Sequence, residues 1–112
     1  MEALSKTKVV TAHASLALSP KQLKIVLALL QKNLPDHQAW AFGSRVTGRA
    51  RKYSDLDIAV IHSQALPFQK RCQISTAFEE SDLDICVDIT DWYQANPEFR
   101  RSVEKSGVVQ LQ

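Results

Sequence analysis

The stretch Asp55-Leu56-Asp57-Ile58-Ala59-Val60-Ile61 constrains this chain more than any other. It is rich in β-branched residues and reads as a strand. Side chains alternate across a strand, so Asp55, Asp57 and Ala59 share one face. Leu56, Ile58 and Val60 share the other and can enter a core. Two carboxylates side by side repel each other, and a strand has no structural need for them. A hard cation between them makes the pair favourable, and Mg²⁺ is the usual one. The bland alternative is a solvated strand edge with two surface acids, and this strand alone leaves both readings open.

A further strand, Asp84 to Thr90, repeats the logic. Ile85, Val87 and Ile89 point one way, and Asp84, Cys86, Asp88 and Thr90 the other. Asp88 lies mid-strand between apolar neighbours, where a lone acid is costly unless it has a partner. If the two strands are neighbours, Asp88 approaches Asp55 and Asp57. The string Ser-Asp-Leu-Asp-Ile occurs at 54–58 and again at 81–85, too short an echo to be a duplication. Asp82 and Asp84 in the second copy follow Glu79, Glu80 and Ser81, and read as a solvated turn.

Before the first acidic pair, Gln38 to Phe42 is a strand candidate ending at Gly43-Ser44. A Gly-Ser at a strand end lets backbone approach a ligand closely. If a helix begins at Arg45 and runs to Ala50, its free N–H groups suit a phosphate, and Ser44 adds a hydroxyl. An ordinary tight turn is the alternative. Gly43 and Gly48 have the spacing of a P-loop, but Arg49 and Ala50 stand where that motif needs Lys and Ser or Thr, so a P-loop is excluded.

The remaining elements fall around these strands. Ser19, Pro20 and Gln22 open a helix with a capping box, and Leu23, Val26, Leu27 and Leu30 form its apolar face. Asn33 and Pro35 stop it. A second helix is expected over Phe68 to Glu80, with Phe68, Cys72, Ile74, Ala77 and Phe78 as apolar positions. Asn96-Pro97 starts a last helix with Phe99 and Val103 facing one way, and Gly107 caps it. Val108 to Leu111 is either a short final strand or a docking tail. The order predicts an α/β (α+β) fold, a small sheet flanked by helices.

With 112 residues, the chain suits one domain over 16–112, preceded by a flexible segment over 1–15. There is little room for a separate substrate-binding domain. The formal charge of +2 is too balanced to signal a nucleic-acid binder. The longest apolar run, Ile25 to Leu30, is far too short to span a bilayer. Cys72 and Cys86 lack metal spacing, and a reducing cytoplasm is the default compartment. His13, His37 and His62 also lack metal spacing and read as surface residues. Trp40 reads as core, whereas Trp92 and Tyr93 are open between core and interface.

Taken together, Gly43-Ser44, ten residues, then Asp55-x-Asp57 resembles the signature of the DNA polymerase β-like nucleotidyltransferase superfamily. The fuller string Gly43-Ser44-Arg45-Val46-Thr47-Gly48, with Tyr53-Ser54-Asp55-Leu56-Asp57, is similar to its minimal nucleotidyltransferase branch, and Val87-Asp88-Ile89 to that branch's third carboxylate strand. The resemblance implies a small mixed sheet flanked by helices. It implies transfer of a nucleoside monophosphate, AMP from ATP, to a hydroxyl acceptor. Asp55, Asp57 and Asp88 would be the catalytic carboxylates holding two Mg²⁺ ions, with Mn²⁺ as a substitute. Gly43, Ser44 and more weakly Arg45 would bind the nucleotide. Members of this branch pair with a small helical protein of the HEPN type in toxin–antitoxin modules. The resemblance therefore implies a hetero-oligomer in which this chain attaches AMP to a tyrosine of a HEPN ribonuclease. A binding-only antitoxin, or an enzyme acting on a small molecule or nucleic-acid end, are the alternatives.

Overall fold

The computed structural model describes Val9–Val10 and residues 15–112. The flexible segment expected over 1–15 lies mostly outside the described residues. Within it, Val9–Val10 forms strand β1.

Helix α1, Pro20–Asn33, begins as its sequence dictates. The Ser19 hydroxyl accepts from the Gln22 N–H at 3.1 Å, and the Gln22 side chain accepts from the Ser19 N–H at 2.9 Å. This reciprocal box satisfies two of the donors a helix start leaves free. Val26 and Leu30 are buried, with Leu23 and Leu27 packed beside them. Strand β2, Gln38–Phe42, leads through the single-turn helix α2, Ser44–Thr47, to strand β3, Leu56–Ile61. Helix α3 is Phe68–Glu79, strand β4 Val87–Asp91, helix α4 Pro97–Ser106 and strand β5 Val108–Gln110, with a 3₁₀ turn over Trp92–Gln94 before α4.

These strands form one mixed sheet in the order β1-β5-β2-β3-β4. β2 runs antiparallel to both β3 and β5, β3 pairs parallel with β4, and β1 pairs parallel with β5. Alternation then divides the side chains between two faces. Ala39, Ala41, Leu56, Ile58, Val60, Ile89 and Val109 point to α1 and α3, where Val26, Leu30, Ile74 and Phe78 complete the main core. Trp40, Phe42, Ala59 and Val108 point the other way and are covered by Val103 of α4 and by Trp92.

Four expectations are corrected. β4 starts at Val87 rather than Asp84, because the preceding residues turn outward and the Asp84 carboxylate accepts from the Gln22 side chain at 2.8 Å. α2 stops at Thr47 rather than Ala50, because Gly48 adopts φ +84° and reverses the chain. On α3, Phe68 and Cys72 are exposed. With Ile74 and Phe78 facing the sheet, about 100° per residue puts Phe68 on the flank of α3 and Cys72 toward the far side. The C-terminal residues are no docking tail: β5 is an interior strand between β1 and β2, and Val108, Val109 and Leu111 are buried.

Candidate active site

The parallel register of β3 and β4 places Asp57 directly beside Asp88, and the antiparallel register of β2 and β3 places Phe42 on the other side of Asp57. Phe42, Asp57 and Asp88 therefore form one row across the sheet at a single end, on the face covered by α4. Asp88 is exposed and Asp57 half-buried, and Asp55 is exposed just before β3 begins. Burial pushes the Asp57 carboxyl above its ordinary range, and the neighbouring Asp88 and Asp55 carboxylates add to the shift. A sheet that places repelling groups at two neighbouring positions of adjacent strands has given up stability for another purpose.

Gly43 follows Phe42 immediately and so lies against the same row. Its φ of +82° and ψ of −154° belong to a region open essentially to glycine. A Cβ at this position would collide with the Asp57 carboxylate and lie 3.3 Å from its Cγ. The Gly43 carbonyl accepts from the Val46 and Thr47 N–H groups, both at 3.0 Å, which closes the turn. Ser44, half-buried, follows Gly43 as the first residue of α2.

Arg45 is not where the sequence reading puts it. Its side chain is 6% exposed, and its guanidinium is committed to backbone carbonyls. It donates to Ala17 at 2.7 Å, to Ser54 at 2.8 and 3.0 Å, and to Lys52 at 3.1 Å. In return the Ala17 N–H donates to the Arg45 carbonyl at 2.8 Å. Arg45 thus secures the loop that delivers Asp55 and is removed from the phosphate contacts. Such a role has no local signal, since a cation beside a Gly-Ser turn looks the same whether it faces a ligand or a buried carbonyl.

Asp82 and Asp84 lie apart from the row. Asp84 is exposed, and the Gln22 side-chain hydrogen bond holds its carboxyl below the ordinary range. A hollow of about 710 Å³ opens between α3 and residues 83–87 and contains none of the row's carboxylates. Its size does not mark it as the site, since Glu79 and Asp84 line it and neither faces the Gly43 turn. A second hollow, about 320 Å³, does adjoin that turn and is closed on its other side by α4.

Among the described residues, no three His, Cys, Asp or Glu side chains are placed to hold a metal ion by themselves. The donor set still fits Mg²⁺. That ion keeps several waters and is held by one or two carboxylates together with substrate phosphates, rather than by an all-protein cage. Asp57 with Asp88 and Asp55 beside it, next to a turn that admits no side chain, provides such a half-site.

The sequence from 24 to 111 matches the family described as Polymerase beta, Nucleotidyltransferase. The chain belongs to that family. It is 46% identical over 99 residues to the probable protein adenylyltransferase MntA of Haemophilus influenzae, covering 88% of this chain and 87% of the relative. Its fold is similar to a crystal structure of a toxin–antitoxin with AMP-PNP, at 27% identity and a TM-score of 0.65, covering 80% of this chain and 72% of that one. It is also similar to the structure of the tri-AMPylated Shewanella oneidensis HEPN toxin in complex with the MNT antitoxin. There the identity is 26% and the TM-score 0.59, covering 82% of this chain and 70% of that one. The sheet flanked by helices and the family resemblance read from the sequence are thereby borne out. Among the described residues, no helix is long and apolar enough to cross a membrane.

Proposed function

We propose that this chain is a protein adenylyltransferase that acts as an antitoxin by transferring AMP from ATP to a tyrosine of a HEPN-type ribonuclease partner in the cytoplasm. The observation that carries the reading is the Phe42–Asp57–Asp88 row lying against Gly43. It sets paired carboxylates beside a glycine turn where a phosphate can approach backbone. The 46% identity to a probable protein adenylyltransferase, and the likeness to an MNT antitoxin bound to an AMPylated HEPN toxin, support the choice of nucleotide and partner.

In this reading Asp55, Asp57 and Asp88 hold two Mg²⁺ ions, and Gly43 and Ser44 receive the triphosphate. Bound Mg²⁺ supplies charge neutralisation on the phosphates and on the attacking oxygen. The chain itself positions. Asp57, half-buried between its neighbours, fixes the centre of the site, and exposed Asp88 is open to take the acceptor's proton. The tyrosine oxygen bonds to the α-phosphorus, the α–β phosphoanhydride bond breaks, and pyrophosphate leaves. Little covalent chemistry falls to the protein, so orientation and charge stabilisation carry the rate.

Incubation of the chain with α-labelled ATP, Mg²⁺ and the HEPN-type protein tests this directly. Label on a tyrosine of the partner is expected. Tight complex formation with no label transferred would replace catalysis by simple masking.

A further inference from the structure

Across the active end of the sheet the order is β2, β3, β4, and so Gly43, Asp57, Asp88. Neighbouring strands lie about 4.8 Å apart, so roughly 10 Å separates the Gly43 side from the Asp88 side. An in-line displacement needs the attacking and leaving oxygens on opposite sides of the phosphorus. If the acceptor comes in over Asp88, the leaving pyrophosphate must depart past Gly43. The 320 Å³ hollow between the Gly43–Ser44 turn and α4 lies there.

Its lining suits phosphate oxygens. It presents four hydroxyls, from Ser44, Thr47, Ser102 and Ser106, with the Arg49 guanidinium, and no carboxylate. The larger hollow contains Glu79 and Asp84 and would repel the same ligand. Phe99, Ser102, Val103 and Ser106 share one face of α4 at spacings of three and four residues. Val103 enters the core and Phe99 packs edge-on against Phe42 at 5.7 Å, which fixes the helix over the turn. Ser102 and Ser106, one turn apart, are exposed beside them. Mid-helix serine is neutral to unfavourable for the helix itself, so Ser102 on the face turned toward the site needs another reason, and Ser106, the last helical residue before the Gly107 cap, adds a second hydroxyl beside it. Hydroxyl and guanidinium donors to a phosphate provide one.

We propose that Ser102 and Ser106 of α4, with Arg49, bind the β- and γ-phosphates of the nucleotide and receive the leaving pyrophosphate. The proposal rests on the adenylyltransferase reading for its ligand. It replaces Arg45, which is buried, by Arg49 as the phosphate cation.

The test is calorimetry on the full chain with ATP, AMP and inorganic tripolyphosphate in the presence of Mg²⁺. The variants are Ser102→Ala with Ser106→Ala, Arg49→Gln, and Ser106→Glu. All three positions are exposed, so melting temperatures should stay near wild type. Hydrogen bonds to charged groups imply a loss of about tenfold or more in ATP affinity for Arg49→Gln and for the serine pair. Ser106→Glu should abolish ATP binding through like-charge repulsion. AMP binding should be unchanged in every variant, and tripolyphosphate should bind wild type and compete with ATP. Unchanged ATP affinity in the variants, an equal loss of ATP and AMP, or no tripolyphosphate binding by wild type would each overturn the assignment. Label transfer to the partner, assayed separately, distinguishes this from failure of the broader reading. Transfer with an unchanged ATP KM in the variants sinks the α4 site alone. Loss of tripolyphosphate binding in the variants, with no transfer by wild type, sinks the adenylyltransferase reading and leaves the site standing.

Discussion

The carboxylate of Asp57 occupies the space that a side chain on residue 43 would need. This contact joins the two halves of the sequence signature, which are separated along the chain but adjacent between β2 and β3. Gly43→Ala should therefore do two things. It should cost about 1–3 kcal/mol through backbone strain at φ +82°, and it should push Asp57 out of the row. Gly48→Ala is the matched control, since Gly48 has a similar φ of +84° but no atom within 4 Å of its added Cβ. Denaturant titration should find both variants destabilised. Calorimetry with ATP and Mg²⁺ should find binding impaired only in Gly43→Ala. Equal binding by the two variants would separate Gly43 from the site.

Asp57 itself links stability to pH. Burial first, and then Asp88 and Asp55, raise its carboxyl above the ordinary range. The folded chain thus holds this proton to higher pH than the unfolded chain does. Its contribution to stability is complete below the unfolded pKa and is lost as pH rises through the folded one. At neutral pH the charged group weakens the fold. Asp57→Asn, assayed by thermal melts from acid to neutral pH, should melt higher than wild type near pH 7, by about 2–4 °C. The difference should fade toward acid, where both side chains are uncharged. Added Mg²⁺ should raise the wild-type midpoint and leave Asp57→Asn unmoved. A variant that melts lower than wild type at neutral pH would contradict this account.

Much of this arrangement was legible because it follows from strand parity. Leu56, Ile58 and Val60 enter the core while Asp57 turns to the other face, as alternation requires. The Ser19–Gln22 box is equally local. What could not be read is long-range. Arg45 reaches Ala17, 28 residues upstream, and nothing near it in sequence signals burial. Val108 and Val109 could be read as a short final strand or a docking tail, and it is their pairing with β1 on one side and β2 on the other, distant in sequence, that makes them an interior strand. α4 lies over the Gly43 turn for a similar reason, through the contact of Phe42 with Phe99, 57 residues apart in a chain whose local pattern gives no hint of it.

Arg45 yields a prediction that separates support from ligand binding. Removing its guanidinium leaves the Ala17, Lys52 and Ser54 carbonyls without their donor. Arg45→Met should cost about 1–3 kcal/mol, as several part-buried acceptors lose their donor at once. Arg45→Lys should recover only part, since an ammonium cannot match the planar fork. Asp55 follows Ser54 directly, so the Mg²⁺ concentration for half-maximal nucleotide binding should rise in both variants, and less in Arg45→Lys. An unchanged Mg²⁺ requirement alongside lowered stability would confine Arg45 to holding the fold.

The last prediction concerns where a partner docks. Trp92 and Tyr93, left open between core and interface by the sequence, follow Asp88 closely along the chain but lie toward the other end of β4. β4 runs away from the carboxylate end, and three residues of strand from Asp88 to Asp91 already cover about 10 Å. Trp92 is also half-buried, packing edge-on against Trp40 at 5.4 Å beneath the Arg100 guanidinium. Tyr53, by contrast, is 76% exposed and only two residues before Asp55. Phe68 is as exposed, at 77%, but begins α3 just after Leu66, whose N–H donates to the Asp91 carboxylate at the opposite end of the sheet. A partner that must bring a tyrosine oxygen within about 3–3.5 Å of the α-phosphorus should cover Tyr53 and not Phe68. Exposed aromatic anchors at interfaces typically account for 1 kcal/mol or more, so Tyr53→Ala should weaken the complex about fivefold or more. Phe68→Ala should leave affinity unchanged, and Asp88→Asn should keep the complex while AMP transfer is lost. Calorimetry with the HEPN-type partner, run beside the label-transfer assay, reads all three. If Phe68→Ala weakens binding and Tyr53→Ala does not, the partner sits at the wrong end of the sheet to deliver its hydroxyl, and direct transfer at Asp88 is ruled out.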